Sequence, residues 1–168
     1  THPGSKLLFM GGEFGQSAEW NIERGLDWWL LQYGYHKGVQ AWVKAMNKIY
    51  REEKALYEKQ FEPDGFEWID YNNASQSILS YIRKGSDIND YIIIIHNFTP
   101  VSRANFKLGV PFAGTWIECL NGDSHAFSGS GHHENSPRTA IEGRWNNQPH
   151  FIEIKLPPLA TVIFKRKG

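Results

Sequence analysis

Glu67 and Asp70 lie three positions apart and have the side-chain types of a general acid and a general base. They fall in the run Phe66–Tyr71, whose composition is that of a strand, so exposed strand positions describe them better than a catalytic pair. His125, His132, His133 and Glu134 carry donor atoms that metals favour. Adjacent histidines do not face one way on a strand, and no partner lies at ligand spacing. No metal is expected there, and these residues read as solvated positions in a loop. Ser128-Gly129-Ser130-Gly131-His132 reads as a flexible loop. Neither a helix nor Lys-Ser/Thr follows to make a phosphate cradle, and the chain has no Gly-x-Ser-x-Gly elbow. Cys119 is the single cysteine, which rules out an intramolecular disulfide and fits a reducing compartment. Seven Trp and an aromatic content of 14% leave two uses open. The rings can be plain core, or they can stack on the CH faces of a sugar.

Lys6 to Met10 is a short apolar run closed by Gly11-Gly12, which predicts a buried strand. Residues 11–36 have no sustained period and read as a long loop, and loops of that length are usually functional. Val39, Trp42, Val43, Met46, Ile49 and Tyr50 then recur at helical spacing, with Trp42 expected in the core. Pro63-Asp64-Gly65 marks a turn, and beyond it the period changes to two. Phe66–Tyr71, Ser77–Arg83, Tyr91–Phe98, Thr115–Leu120, Phe151–Leu156 and Thr161–Lys165 read as strands. Tyr91-Ile92-Ile93-Ile94-Ile95 is continuously apolar, as a central strand covered on both faces would be. Residues 121–150 are rich in Gly, Ser, Asn and His and read as a long loop. Short strands at this spacing predict an antiparallel sandwich.

Hydrophobic residues make up 40% and charged residues 21% of the 168 positions, an ordinary soluble balance. A formal net charge of zero gives no field to attract nucleic acid or anionic lipid. Lys165-Arg166-Lys167 reads as a solvated end. No apolar run is long enough to span a bilayer and no signal-peptide pattern is present, so a cytoplasmic protein with no membrane or nucleic-acid partner is expected. The chain opens Thr1-His2-Pro3-Gly4 and runs at once into apolar residues, which reads as a piece of a longer protein. A lone βα unit cannot bury its own strand, so residues 1–60 need neighbours from outside the chain.

Several motifs carry a resemblance. Lys6-Leu7-Leu8-Phe9-Met10-Gly11-Gly12-Glu13-Phe14-Gly15-Gln16, with Glu19-Trp20, resembles the last barrel strand and following loop of glycogen branching enzymes. Leu26-Asp27-Trp28, Gly38-Val39-Gln40, Asn47 and Tyr50-Arg51 continue it. Gly65-Phe66-Glu67-Trp68-Ile69, Asn97-Phe98-Thr99-Pro100-Val101 and Leu156-Pro157-Pro158-Leu159-Ala160-Thr161 carry it to the end of the chain. Gln16 and the Leu-Pro-Pro-Leu-Ala-Thr ending look like the bacterial branch.

That resemblance implies the α-amylase superfamily. The fold class would be mainly β, a C-terminal antiparallel β-sandwich preceded by the last β/α unit of a truncated (β/α)8 barrel. Residues 1–60 would be the barrel unit and residues 61–168 the sandwich. The family cuts an α-1,4 glucan and transfers the piece to a 6-hydroxyl, making an α-1,6 branch. Retention needs a nucleophilic carboxylate and a second carboxyl acting as acid, then base. In the family both belong to earlier barrel strands, and no stretch here matches them. The resemblance therefore implies no catalytic residue and no cofactor in this chain. Its partners would be glycogen or amylose, through the full-length enzyme, and the rest of the barrel. Glu13, Phe14, Gln16, Glu19 and Trp20 are the candidate substrate-binding residues. Glu13 is either a floor residue of the cleft or a carboxylate capping the loop, and Asp27-Trp28-Trp29 read as loop packing. A different enzyme of the same superfamily, a freestanding carbohydrate-binding module and a purely structural sandwich remain alternatives.

Overall fold

The computed structural model describes residues 1–167. After an irregular stretch and a 3-10 turn at Trp28–Gln32, helix α1 spans Gly34–Glu52. Short 3-10 turns at Lys54–Leu56 and Pro63–Gly65 lead into the strands. These are β1 (Phe66–Asn73), β2 (Ile78–Lys84), β3 (Tyr91–Asn97), β4 (Arg103–Val110), β5 (Thr115–Asn121), β6 (Arg138–Thr139), β7 (Ile141–Trp145), β8 (Gln148–Leu156) and β9 (Ala160–Arg166). One sheet has the order β1-β2-β3-β9-β5-β6, the other β4-β8-β7, and every pairing is antiparallel.

The four isoleucines of β3 organise the packing. In a strand, successive side chains point to opposite faces. Ile93 and Ile95 enter the core between the sheets with Ile82, Leu108, Trp116, Ile152, Val162 and Phe164. Ile92 and Ile94 face the other way, onto Ile49, Ala55, Leu56, Tyr81 and Ile163. The large sheet is therefore covered on both faces, by the small sheet and by the α1 layer. The small sheet has one wet face, as Ile152, Ile154 and Leu156 alternating with exposed Glu153 and Lys155 show. Phe164 and Val162 also alternate, but Ile163 between them is buried under the helical layer rather than exposed.

Polar bonds lock that layer. Arg83 is fully buried, and its guanidinium donates to the carbonyls of Gly65 (3.2 Å), Thr1 (2.7 Å) and Leu56 (3.3 Å). Lys165 Nζ sits 2.6 Å from Glu53 at the end of α1. Gly38 lets α1 approach the 125–128 turn, where a Cβ would lie 2.4 Å from the Phe127 carbonyl oxygen. The Trp42 ring meets Phe127 edge-on at 5.2 Å.

Four expectations are corrected. Lys6–Met10 forms no strand and is not buried: Leu7 is 90% exposed, and Leu8, Phe9 and Met10 are exposed too. An extended segment with no neighbour has nothing to pair its backbone with and no layer to cover its side chains. Trp42 is half-buried rather than core, because one flank of the α1 stripe is open. Residues 121–150 are not one loop; they hold β6, β7 and the start of β8, and β4 also went unread. Glu67 and Asp70 are half-buried rather than exposed. No helix among the described residues is long and apolar enough to cross a membrane.

His96 makes this packing sensitive to pH. Its Nδ1 lies 2.7 Å from the Thr161 hydroxyl and its Nε2 3.1 Å from the Tyr81 hydroxyl. Burial holds its pKa down to about 4. An unfolded histidine titrates near ~6.5, so between these values the unfolded chain binds a proton that the folded chain refuses. The contribution of His96 is therefore full above the unfolded value and shrinks as pH falls toward the folded one. Thermal unfolding followed across that window should show a midpoint dropping with acidity, and more gently in His96→Gln. Arg83→Met, which leaves three backbone carbonyls without their donor, should lower unfolding free energy by about 1–3 kcal/mol in urea titrations. Arg51→Met on the exposed side of α1 should change it by less than ~0.5 kcal/mol.

Candidate functional site

The loop from residue 11 to residue 33 is built around Gln16 and Phe14. Gly11 and Gly15 adopt positive φ (83° and 67°), which lets the chain fold back so that the Gln16 amide donates to the Gly11 carbonyl at 2.9 Å. The Gln16 side chain then spans the loop. Its Oε1 accepts from the Asp27 amide (2.8 Å) and its Nε2 donates to the Ala18 carbonyl (3.1 Å). Phe14 is 0% exposed, with its ring 4.8 Å from that of Trp28. Its carbonyl oxygen lies 2.9 Å from His36 Nδ1 in the first turn of α1. Leu30, buried in the 3-10 turn, completes the anchor.

The five proposed glucan residues therefore separate. Phe14 is enclosed between Trp28 and the start of α1, so its ring is turned away from solvent. Gln16 is half-buried and spends both ends of its amide inside the loop. Glu19 and Trp20 are exposed, Trp20 at 46%, with the Phe9 ring edge-on at 5.9 Å. Glu13 is half-buried and makes no hydrogen bond among the described residues, so it does not cap the loop. The loop also presents Trp28, Trp29 and Tyr33, all exposed, with Trp29 and Tyr33 edge-on at 6.2 Å. Reading Trp28 and Trp29 as packing residues missed this. Only one face of Trp28 packs, on Phe14, and the doubled Trp in a loop was the available signal.

Beside the loop runs an apolar cleft of about 430 Å³ between Leu7 and Leu8 on one side and Trp42, Val43, Met46 and Tyr50 of α1 on the other. It is the open flank of the helix stripe.

The other chemistry-bearing residues have local partners. Glu67 pairs with Lys84 and accepts from Gln148 Nε2 at 2.8 Å. Burial alone would raise its pKa, but those two bonds hold the carboxyl below the usual range. A group held ionised in this way is a poor general acid. Glu118, whose pKa is raised by burial, accepts from Asn121 and from both the backbone and side chain of Asn135. It fastens the 121–135 segment to β5. Asp123 accepts from the Ser130 amide and hydroxyl and sits 2.7 Å from His133 Nδ1. The Ser128–His132 segment is thus tied down rather than flexible, and His133 is engaged rather than solvated. Among the described residues no group of three or more His, Cys, Asp or Glu is placed to hold a metal ion.

Residues 68–167 match the family described as alpha amylase, C-terminal all-beta domain. The chain is 50% identical over 164 residues to the 1,4-alpha-glucan branching enzyme GlgB of Halothermothrix orenii, covering 98% of this chain and 26% of that protein. It is 44% identical over 168 residues to the protein of the same name from Aquifex aeolicus, covering 100% of this chain and 27% of that one. The chain thus spans about a quarter of the length of these relatives.

Gln16→Ala should free the loop without touching the sandwich. Losing a hydrogen bond worth ~1 kcal/mol should speed hydrogen exchange of the Asp27 amide by about fivefold to tenfold. Exchange of the β3 amides should stay as slow as in the unaltered chain.

Proposed function

The chain belongs to the α-amylase C-terminal all-β domain family, and on that premise we propose that it is the C-terminal part of a 1,4-α-glucan branching enzyme. The observation that carries this is the identity of 44–50% with proteins of that name, sustained over 98–100% of the chain. Residues 1–60 are the last βα unit of the catalytic (β/α)8 barrel, and residues 61–168 are the C-terminal sandwich. The exposed run Leu7–Met10 and the open flank of α1 support that division, since both offer apolar surface suited to a neighbouring strand and helix.

The substrate is an α-glucan, glycogen or amylose, and the reaction of the whole enzyme moves a cleaved α-1,4 segment onto a 6-hydroxyl. The two carboxyl groups that retention requires belong to the rest of the barrel. Within this chain Glu67 is held ionised by Lys84, and Glu118 is held by Asn121 and Asn135. Neither stands ready as an acid or a nucleophile toward a substrate. The chain's own part is to form one wall of the glucan cleft. Trp20 supplies a flat ring for a pyranose face and Glu19 and Glu13 supply acceptors for hydroxyls, while Phe14 and Gln16 fix the loop that carries them. No cofactor is required, and a cytoplasmic location accords with the single free Cys119.

Amylose–iodine absorbance with simultaneous reducing-sugar assay tests the reading. A protein of the relatives' full length containing this chain should lower the absorbance without releasing reducing ends, and the 168-residue chain alone should do neither. Release of reducing sugar by the longer protein would make it a hydrolase instead. Trp20→Ala in the longer protein should lower kcat/KM by about tenfold, the loss of roughly one ring–sugar contact.

A further inference from the structure

The first two turns of α1 carry the 11–33 loop. His36 Nδ1 lies 2.9 Å from the Phe14 carbonyl oxygen, and Val39 packs on Gly15, where a Cβ would sit 3.7 Å from its methyl. These turns have little of their own to rest on. The buried residues of α1 are Gly38 and Ile49. Ile49 belongs to the core with Ile92 and Ile94, about 16 Å further along the helix axis at ~1.5 Å per residue. Opposite Val39 and Trp42, a cleft of about 210 Å³ reaches to Leu159 and Thr161, so the large sheet does not hold this end of the helix. Tyr33, at the N-cap, makes no side-chain cap bond.

What does meet the first turns is the 125–128 turn of the sandwich. The Ser128 hydroxyl donates to the Gly34 carbonyl at 2.9 Å. The Phe127 carbonyl presses on Gly38, and the half-buried Phe127 ring stands edge-on to Trp42. Phe127 is the one large apolar side chain between Gly122 and His133. The turn is carried on a stiff arm. Gly129 passes so close to Asp123 that a Cβ would lie 2.3 Å from its carbonyl carbon, and the Gly131 amide donates to the Asp123 carbonyl at 2.7 Å. At the root, buried Asn121 donates to the His133 carbonyl at 3.1 Å. With the Asp123 carboxylate tying Ser130 and His133, both ends of the arm are fixed on β5. A loop closed on itself in this way offers α1 a single resting place.

We propose that Phe127 and Ser128 are positioning residues for the glucan wall. Through Gly34 and Gly38 they set where the first turns of α1 stand, and through His36 and Val39 those turns set where Glu19 and Trp20 stand. The inference rests on the branching reading above. Because the reacting carboxyl groups lie elsewhere, a displaced wall weakens the hold on the glucan equally in the ground state and the transition state. A uniform loss of that kind raises KM and leaves kcat in place. Gly38 separates this role from plain stability. Alanine is a better helix former than glycine, so Gly38→Ala strengthens α1 by itself while its new Cβ drives the 125–128 turn away.

Hydrogen exchange of the 168-residue chain and the kinetics of a protein of the relatives' full length test this together. In the chain, Phe127→Ala and Gly38→Ala should each speed exchange of the Gln16 and Asp27 amides at least about fivefold, with the β3 amides and the helical circular dichroism unchanged. Ser128→Ala, which removes one exposed hydrogen bond and leaves the fold intact, should speed it about threefold. In the longer protein, Phe127→Ala and Gly38→Ala should raise KM for amylose about threefold to tenfold and keep kcat within about twofold. Phe127→Tyr, which retains the ring, should restore KM. Loop amides unmoved by the variants would overturn the positioning role. So would faster exchange in β3, which would make the contact a general prop of the fold. If the longer protein branches amylose with KM unmoved by both variants, the positioning role falls and the branching reading stands. If the loop amides respond and the longer protein does not branch, the branching reading falls and the link from turn to loop stands.

Discussion

Four consecutive isoleucines, Ile92 to Ile95, are fully buried in the middle of a sheet, and a strand can bury such a run only if both of its faces are covered. The rest of the molecule follows from that requirement. The small sheet supplies one cover through Leu108, Ile152 and Ile154, and α1 with the 54–56 turn supplies the other through Ile49, Ala55 and Leu56. Each buried isoleucine side chain contributes on the order of 1.5–3 kcal/mol relative to exposure. Neither cover is therefore an accessory to the fold. Arg83 and the Lys165–Glu53 pair then fix where the helical cover sits.

This arrangement has a consequence for the proposed glucan cleft. The 11–33 loop is tethered to α1 through Phe14 and His36, and α1 is packed on the sandwich. A ring such as Trp20 consequently keeps a defined position relative to the β domain although it stands in a loop. The sandwich is then a foundation for the loop, and the apolar run Leu7–Met10 stays exposed beside it.

Much of this was legible in the sequence because the dominant signals were strong and local. The apolar run of β3 stood out, and six strands bounded by turn residues could be placed within a few positions. β4 was not, since Arg103-Ala104-Asn105 opens it with polar residues and Gly109 interrupts it. β6 and β7 were hidden in a stretch whose Gly, Ser and Asn content signals loops, yet Asn146-Asn147 makes a hairpin turn. Lys6–Met10 has the composition of a strand, but composition cannot supply the partner strand that would make it one. At the loop, the motif does not distinguish its members from one another. Whether an aromatic ring such as Phe14 or Trp20 is buried depends on which neighbours the loop folds against. Gln16 could not be recognised as the brace, because its partners Ala18 and Asp27 are set by a fold-back at Gly11 and Gly15.

The central claim is that the helical cover and the sandwich fold as one unit around β3. Unfolding of the segment 61–168, prepared without residues 1–60, tests this most directly when compared with the whole chain by near-ultraviolet circular dichroism and urea titration. The account requires the shortened segment to lose its cooperative transition or to unfold at much lower urea, because Ile92, Ile94 and Ile163 would lose their cover. A segment that unfolds cooperatively at the same urea concentration as the whole chain would show that the sandwich stands alone, and would contradict the account.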